Sequence, residues 1–124
     1  MRVLVAVLAA LVLVPAASSR GAKTDLAILV WPAAKTRPTF WTLRCNPNGG
    51  TLPDKTAGCA ALAAHPEALH PTPSAIACTQ IYGGPQVAIV IGRYNGHLVV
   101  SKFSRVNGCE IDRWDKLSAL FPAG

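Results

Sequence analysis

Four cysteines are the residues of this chain with the most chemistry to offer, and their spacing narrows what that chemistry is. Cys45, Cys59, Cys78 and Cys109 lie 14, 19 and 31 residues apart. A structural zinc site would show a Cys-x-x-Cys or His-x-x-x-His pair at close spacing, and no such pair occurs. An even count in a small exported chain is read instead as two disulfides. Four cysteines allow three pairings, and sequence alone does not choose among them. Sequential pairing, Cys45–Cys59 and Cys78–Cys109, is the expectation adopted, each loop contributing about 3–4 kcal/mol through the entropy of the unfolded chain.

The other reactive residue types offer less. His65 and His70 sit in a proline-rich stretch and His97 just past a turn, so each reads as an exposed surface side chain. Glu110, Asp112 and Asp115 fall at the start of a helical pattern, where the helix dipole accounts for them without catalysis. There is no Gly-x-Ser-x-Gly elbow, no His-Glu-x-x-His pair and no phosphate-binding loop. The expectation is a protein that is not an enzyme and carries neither metal nor cofactor. Twelve Lys/Arg against six Asp/Glu leave a net charge of +6. The basic residues are scattered and no nucleic-acid motif accompanies them, so no nucleic-acid partner is expected.

One segment is not explained by folding alone: Ala75-Ile76-Ala77-Cys78-Thr79-Gln80-Ile81-Tyr82-Gly83-Gly84-Pro85. Its first part is small and apolar and suits an extended backbone. Gly-Gly-Pro then turns the chain back. A disulfide from Cys78 would pin the segment to the body of the domain, making it a preorganised extended peptide of the kind a protease cleft binds.

The elements that must carry this segment come from the rest of the pattern. Arg2 followed by twelve apolar residues, Val3 to Val14, and then Pro15-Ala16-Ala17-Ser18-Ser19 has the form of a secretory signal peptide. A membrane anchor would want about 20 apolar residues. Cleavage is placed after Ser19, with Ala16 the second choice, so residues 1–19 are the signal peptide and 20–124 one domain with no membrane attachment. Hydrophobic residues make up 51% of the chain and charged ones 15%, which excludes a disordered protein. Ten prolines exclude a coiled coil.

After a tail over Arg20–Thr24, the run from Asp25 to Trp31 reads as a buried strand stopped by Pro32, and Phe40–Arg44 as a second. Asn46–Gly50 is turn chemistry. Asp54 or Thr56 caps a short helix through Ala64, and His65–Ser74 is a surface connection. Val87–Ile91 and Leu98–Phe103 are the strongest strands and flank a hairpin signal at Asn95-Gly96. Asn107-Gly108 is a turn, and Glu110–Leu120 reads as a terminal helix with a short strand after it. The sum is an α+β domain with an antiparallel sheet. The first hairpin strand is apolar on both sides. Either helices cover one face of the sheet and a second subunit the other, or both faces are buried within one chain.

Cys78-Thr79-Gln80-Ile81-Tyr82 resembles the reactive-site loop of the subtilisin-inhibitor-like family of secreted bacterial serine protease inhibitors, which commonly shows Cys-Pro-x-Val-Tyr there. The resemblance runs on through Thr42-Leu43-Arg44-Cys45 with its Pro/Gly-rich turn, Gly58-Cys59-Ala60-Ala61-Leu62, Val100-Ser101 and Asn107-Gly108-Cys109-Glu110. It covers about Phe40 to Phe121 with all four cysteines. It implies an α+β fold with a five-stranded antiparallel sheet and two short helices, the same sequential disulfides, a homodimer, and an extracellular inhibitor of subtilisin-like proteases. By that resemblance Gln80–Ile81 is the reactive bond, Ala77, Cys78 and Thr79 line the protease on the acyl side, and Tyr82 on the leaving side. The alternative is a secreted, non-inhibitory interaction protein on the same scaffold. Two departures bear on rigidity: Thr79 stands where the family has Pro, and Gly83-Gly84-Pro85 is one residue longer than the usual Asp-Pro, with glycines that add freedom.

Overall fold

The computed structural model describes residues 23–124; the signal peptide expected over 1–19 lies outside them. A five-stranded antiparallel sheet is built from β1 (Thr24–Trp31), β2 (Thr39–Cys45), β3 (Gly49–Gly50), β4 (Val87–Tyr94) and β5 (His97–Ser104), in the order β3-β2-β1-β4-β5. The apolar run that announced β1 makes it the central strand. Leu26, Ile28 and Val30 point to one face and are fully buried, while Ala27, Leu29 and Trp31 alternate onto the other. With φ of 48° and 82°, Asn95 and Gly96 adopt the twist that a two-residue hairpin turn requires.

The chain differs from its expected tail here. Thr24 is buried and already part of β1, because its Oγ accepts the Asn95 N–H (3.1 Å) while the Lys23 carbonyl accepts that of Gly96 (2.8 Å). Likewise Gly49 and Gly50, expected within a turn, pair with Arg44 and Leu43 as the edge strand β3.

Helices α1 (Lys55–Ala64) and α2 (Gly108–Lys116) both pack on the inner face. Asp54, rather than Thr56, caps α1 by accepting the Ala57 N–H at 3.0 Å. α1 comes close to the sheet because position 58 is glycine: a methyl there would stand 2.6 Å from Leu52 and 3.2 Å from Leu43. α2 is capped by Asn107 and ends at Lys116, short of the expected Leu120, and no strand follows it among the described residues. After Leu117 a separate 3₁₀ helix, Ser118–Leu120, follows, and its three-residue turn puts the capping Leu117 and Leu120 both in the core. Phe103, Trp114 and Phe121 form the aromatic centre, with ring centroids 5.1 and 4.6 Å apart.

The stretch expected as a plain surface connection contains a 3₁₀ helix, Pro66–Leu69, that buries Ala68 and Leu69. The outer face of the sheet is left open. Phe40, Ile91, Leu98 and Val100 on it are exposed, so burial of both faces within one chain does not occur.

Candidate functional site

Residues 71–86 join the 3₁₀ helix to β4 without helix or strand. A stretch of that length inside a compact domain is uncommon unless it has work beyond folding. At its crest Gln80, Ile81 and Tyr82 are exposed, Ile81 by 63% and Tyr82 by 65%. Two large side chains displayed side by side at the crest of a loop gain little for the fold, which makes the crest the candidate for a contact surface.

The flanks of this tripeptide are held. On its N-terminal side Cys78 is bonded to Cys109 in the first turn of α2. The next carbonyl, that of Thr79, accepts the Gly108 N–H at 2.9 Å. This N–H is one of the helix-start donors that no intrahelical acceptor can satisfy, so the loop supplies what the helix lacks. Position 108 must be small, since a methyl there would run into the Thr79 hydroxyl. Thr79 therefore gains from α2 part of the restraint that a proline ring would give. The Gln80 side chain folds back, its Nε2 donating to the Cys78 carbonyl at 3.2 Å.

On the C-terminal side the clamp is Arg105, just past β5. The Gly83 N–H donates to the Arg105 carbonyl (2.7 Å), and Arg105 Nε donates to the Gly83 carbonyl (3.1 Å). The guanidinium is itself fixed: Nη1 meets Asp115 Oδ1 at 2.8 Å, and the group lies 6.0 Å from the Trp114 ring centroid. Ile111 fills the space under Gly83, where a methyl would come within 2.7 Å of Ile111 Cδ1. The two glycines are thus not slack. Gly83 is the residue being gripped, and Gly84 holds a φ of 128°, which favours glycine.

Ala77, Cys78, Thr79, Gln80, Ile81 and Tyr82, singled out in the sequence, therefore form one continuous ridge, and the expected pairing Cys45–Cys59 and Cys78–Cys109 is present. All four cysteines are consumed, leaving none of them for a metal. The supporting residues Arg105, Gly108 and Ile111 were not foreseen. The acidic residues are also more than dipole partners: Glu110 pairs with Arg113 and Asp112 with Lys116, each at 2.8 Å, besides Asp115 with Arg105. His70 and His97 are exposed as expected, and His65 is partly so, 3.4 Å from Glu67. No helix among the described residues is long and apolar enough to cross a membrane.

No protein-family model matches the chain, and no curated protein matches it. Among solved structures it is similar to the crystal structure of Streptomyces caespitosus sermetstatin in complex with Bacillus licheniformis subtilisin. The identity is 22% and the TM-score 0.48, over 77% of this chain and 93% of that one.

Proposed function

We propose that this chain is a secreted, non-enzymatic inhibitor of subtilisin-like serine proteases that offers Gln80–Ile81 as a bond to be attacked but not lost. The observation that carries the reading is the loop itself: an exposed tripeptide whose two flanks are fastened to the same rigid body, the end of β5 and helix α2. The protease serine attacks the Gln80 carbonyl in the ordinary way. Cleavage makes an acyl-enzyme at Gln80 and a new amine at Ile81. Cys78 and the Thr79 carbonyl keep the first fragment on α2, and Gly83 keeps the second within reach on Arg105 and Ile111. The amine then competes with water at an effective concentration that for well-oriented groups reaches roughly 10⁵ M or more. Because the loop is ordered during folding, binding meets little further entropy cost on an interface of about 1,600 Å².

Gln80 is uncharged and suits broad, apolar specificity pockets better than one demanding Lys or Arg. Ala77, Cys78 and Thr79 occupy the acyl side of the cleft and Tyr82 the leaving side. Export through residues 1–19 agrees with a domain stapled by two disulfides. The open outer sheet face, with Ile91 and Val100 exposed on β4 and the edge strand β5, is the surface on which a second copy packs to form a homodimer.

The test is a titration of subtilisin with the oxidised protein, followed by mass spectrometry. Stoichiometric inhibition with at most one slow cut after Gln80 is expected. Fast turnover at that bond would instead favour a non-inhibitory interaction protein on this scaffold, and absence of both binding and cleavage would sink the reading.

A further inference from the structure

Resting on that reading, we infer that Glu110 is a positioning residue for the reactive loop, acting at the loop's root through Thr72. Arg113 is buried, with its side chain 9% exposed. Its Nε donates to the Ala68 carbonyl (3.2 Å), Nη1 to the Lys102 carbonyl (3.2 Å) and Nη2 to Ser101 Oγ (3.0 Å), with the group 4.4 Å from the Phe103 ring centroid. A guanidinium taken out of water in this way needs a counter-charge. Glu110 provides it, with Oε2 at 2.8 Å from Nη1.

The pair does more than neutralise Arg113. With one carboxylate oxygen locked onto a buried guanidinium that makes four hydrogen bonds, the other is held in place, and that oxygen accepts the Thr72 hydroxyl at 3.1 Å. Thr72 stands six residues before Cys78, between Pro71 and Pro73. Both prolines restrict the backbone around it, and the Ile76 N–H closes a turn onto the Pro73 carbonyl at 3.1 Å. Among the described residues no backbone hydrogen bond ties 71–77 to another element. The Thr72–Glu110 contact therefore anchors a stiff segment at its far end, and without it residues 72–77 would be held only at their ends, by the buried Leu69 before them and by the Cys78–Cys109 and Thr79–Gly108 bonds after them. Gly108, Cys109 and Glu110, three consecutive residues of α2, then hold Thr79, Cys78 and Thr72 in turn.

Removing Glu110 would strand Arg113 and confuse stability with positioning, so the variant of choice is Thr72→Val, which keeps the shape and deletes the hydroxyl. Two readouts are taken beside the melting temperature. One is amide exchange of the Gly108 N–H, which bonds to Thr79, with the Gly83 N–H as internal reference. The other is the rate at which subtilisin hydrolyses Gln80–Ile81 in an equimolar mixture. Thr72→Val should lower the melting temperature by several degrees, lower protection at Gly108 but not at Gly83, and raise hydrolysis roughly ten-fold, the scale of one hydrogen bond to a charged acceptor. Thr72→Ser should restore both. Unchanged Gly108 protection and hydrolysis in Thr72→Val would overturn the inference, as would a Thr72→Ser variant that behaves like Val. If the parent is itself turned over rapidly, the inhibitor reading fails, and Gly108 exchange in the free protein still decides the anchor.

Discussion

The two sides of Gln80–Ile81 are held by different kinds of force. Toward the N-terminus the restraint is covalent, Cys78 to Cys109, reinforced by the Thr79–Gly108 hydrogen bond. Toward the C-terminus there is no covalent tie: Gly83 is gripped by the backbone and guanidinium of Arg105 and rests on Ile111. For an inhibitor the asymmetry has a reason. The acyl fragment is in any case bonded to the protease serine during the reaction, and its disulfide keeps the rest of the molecule attached. The freed amine at Ile81 has no bond to anything nearby. On the proposed mechanism both restraints are needed: the disulfide keeps the acyl fragment on the domain, and Gly83 with its neighbours keeps the freed amine within reach, so the non-covalent side tunes how fast re-attack wins over digestion.

Breaking the covalent side should have the largest effect. Replacing Cys78 and Cys109 by serine removes a link of the kind that contributes about 2–5 kcal/mol, and subtilisin should then consume the protein as a substrate, read by loss of stoichiometric inhibition. The control is the other disulfide. Cys45–Cys59 joins β2 to α1 away from the loop, so removing it should lower stability by about 3 kcal/mol while the folded protein still inhibits at one to one.

Arg105→Ala tests the other side and should be milder. It deletes the Nε–Gly83 bond and the Asp115 pair but keeps the Gly83–Arg105 backbone bond. Hydrolysis of the complex should rise roughly ten-fold, with the two-chain form accumulating in mass spectra. Equal effects from Arg105→Ala and from the Cys78/Cys109 pair would erase the proposed asymmetry.

The smallest effect is expected at Lys116, which Asp112 supports by hydrogen bond and charge, holding its pKa above the ordinary 10.5. A raised pKa means the pair stabilises the fold below 10.5 and loses that contribution as pH climbs through the raised value. Lys116→Met should therefore melt slightly below the parent at neutral pH, the gap closing in strong alkali, with inhibition unaltered throughout.

How far the sequence revealed these parts follows from what each part depends on. β1, β4 and β5 were legible because burial on the sheet writes a local apolar pattern, and the Asn95-Gly96 turn because only certain residues take positive φ. The ridge from Ala77 to Tyr82 was legible through its half-cystine and its resemblance to an inhibitor loop. The clamp was not. Arg105 lies 22 residues from Gly83, and Glu110 lies 38 from Thr72, and nothing in either local stretch signals its distant partner. The 3₁₀ helix at Pro66–Leu69 was hidden by its own proline, which reads as a breaker yet is well placed at a helix start. The glycines at 83 and 84 read as looseness because a sequence shows what a residue permits, while contacts with Arg105 and Ile111 determine what it does.

The bonds from Lys23 and Thr24 to the hairpin turn have a practical consequence for handling the molecule. β4 runs eight residues from the loop to that turn, so a point of attachment at Lys23 stands about 25 Å from the loop end of the sheet. A dye, a surface linker or a fused domain placed there would leave the crest of the loop facing outward. Attachment through Gly124 is the wrong choice, because that residue packs against Trp114 and Val30 at the loop end. Immobilised through Lys23, the domain would present its loop away from the support, the orientation that the proposed inhibitor needs in order to capture a protease.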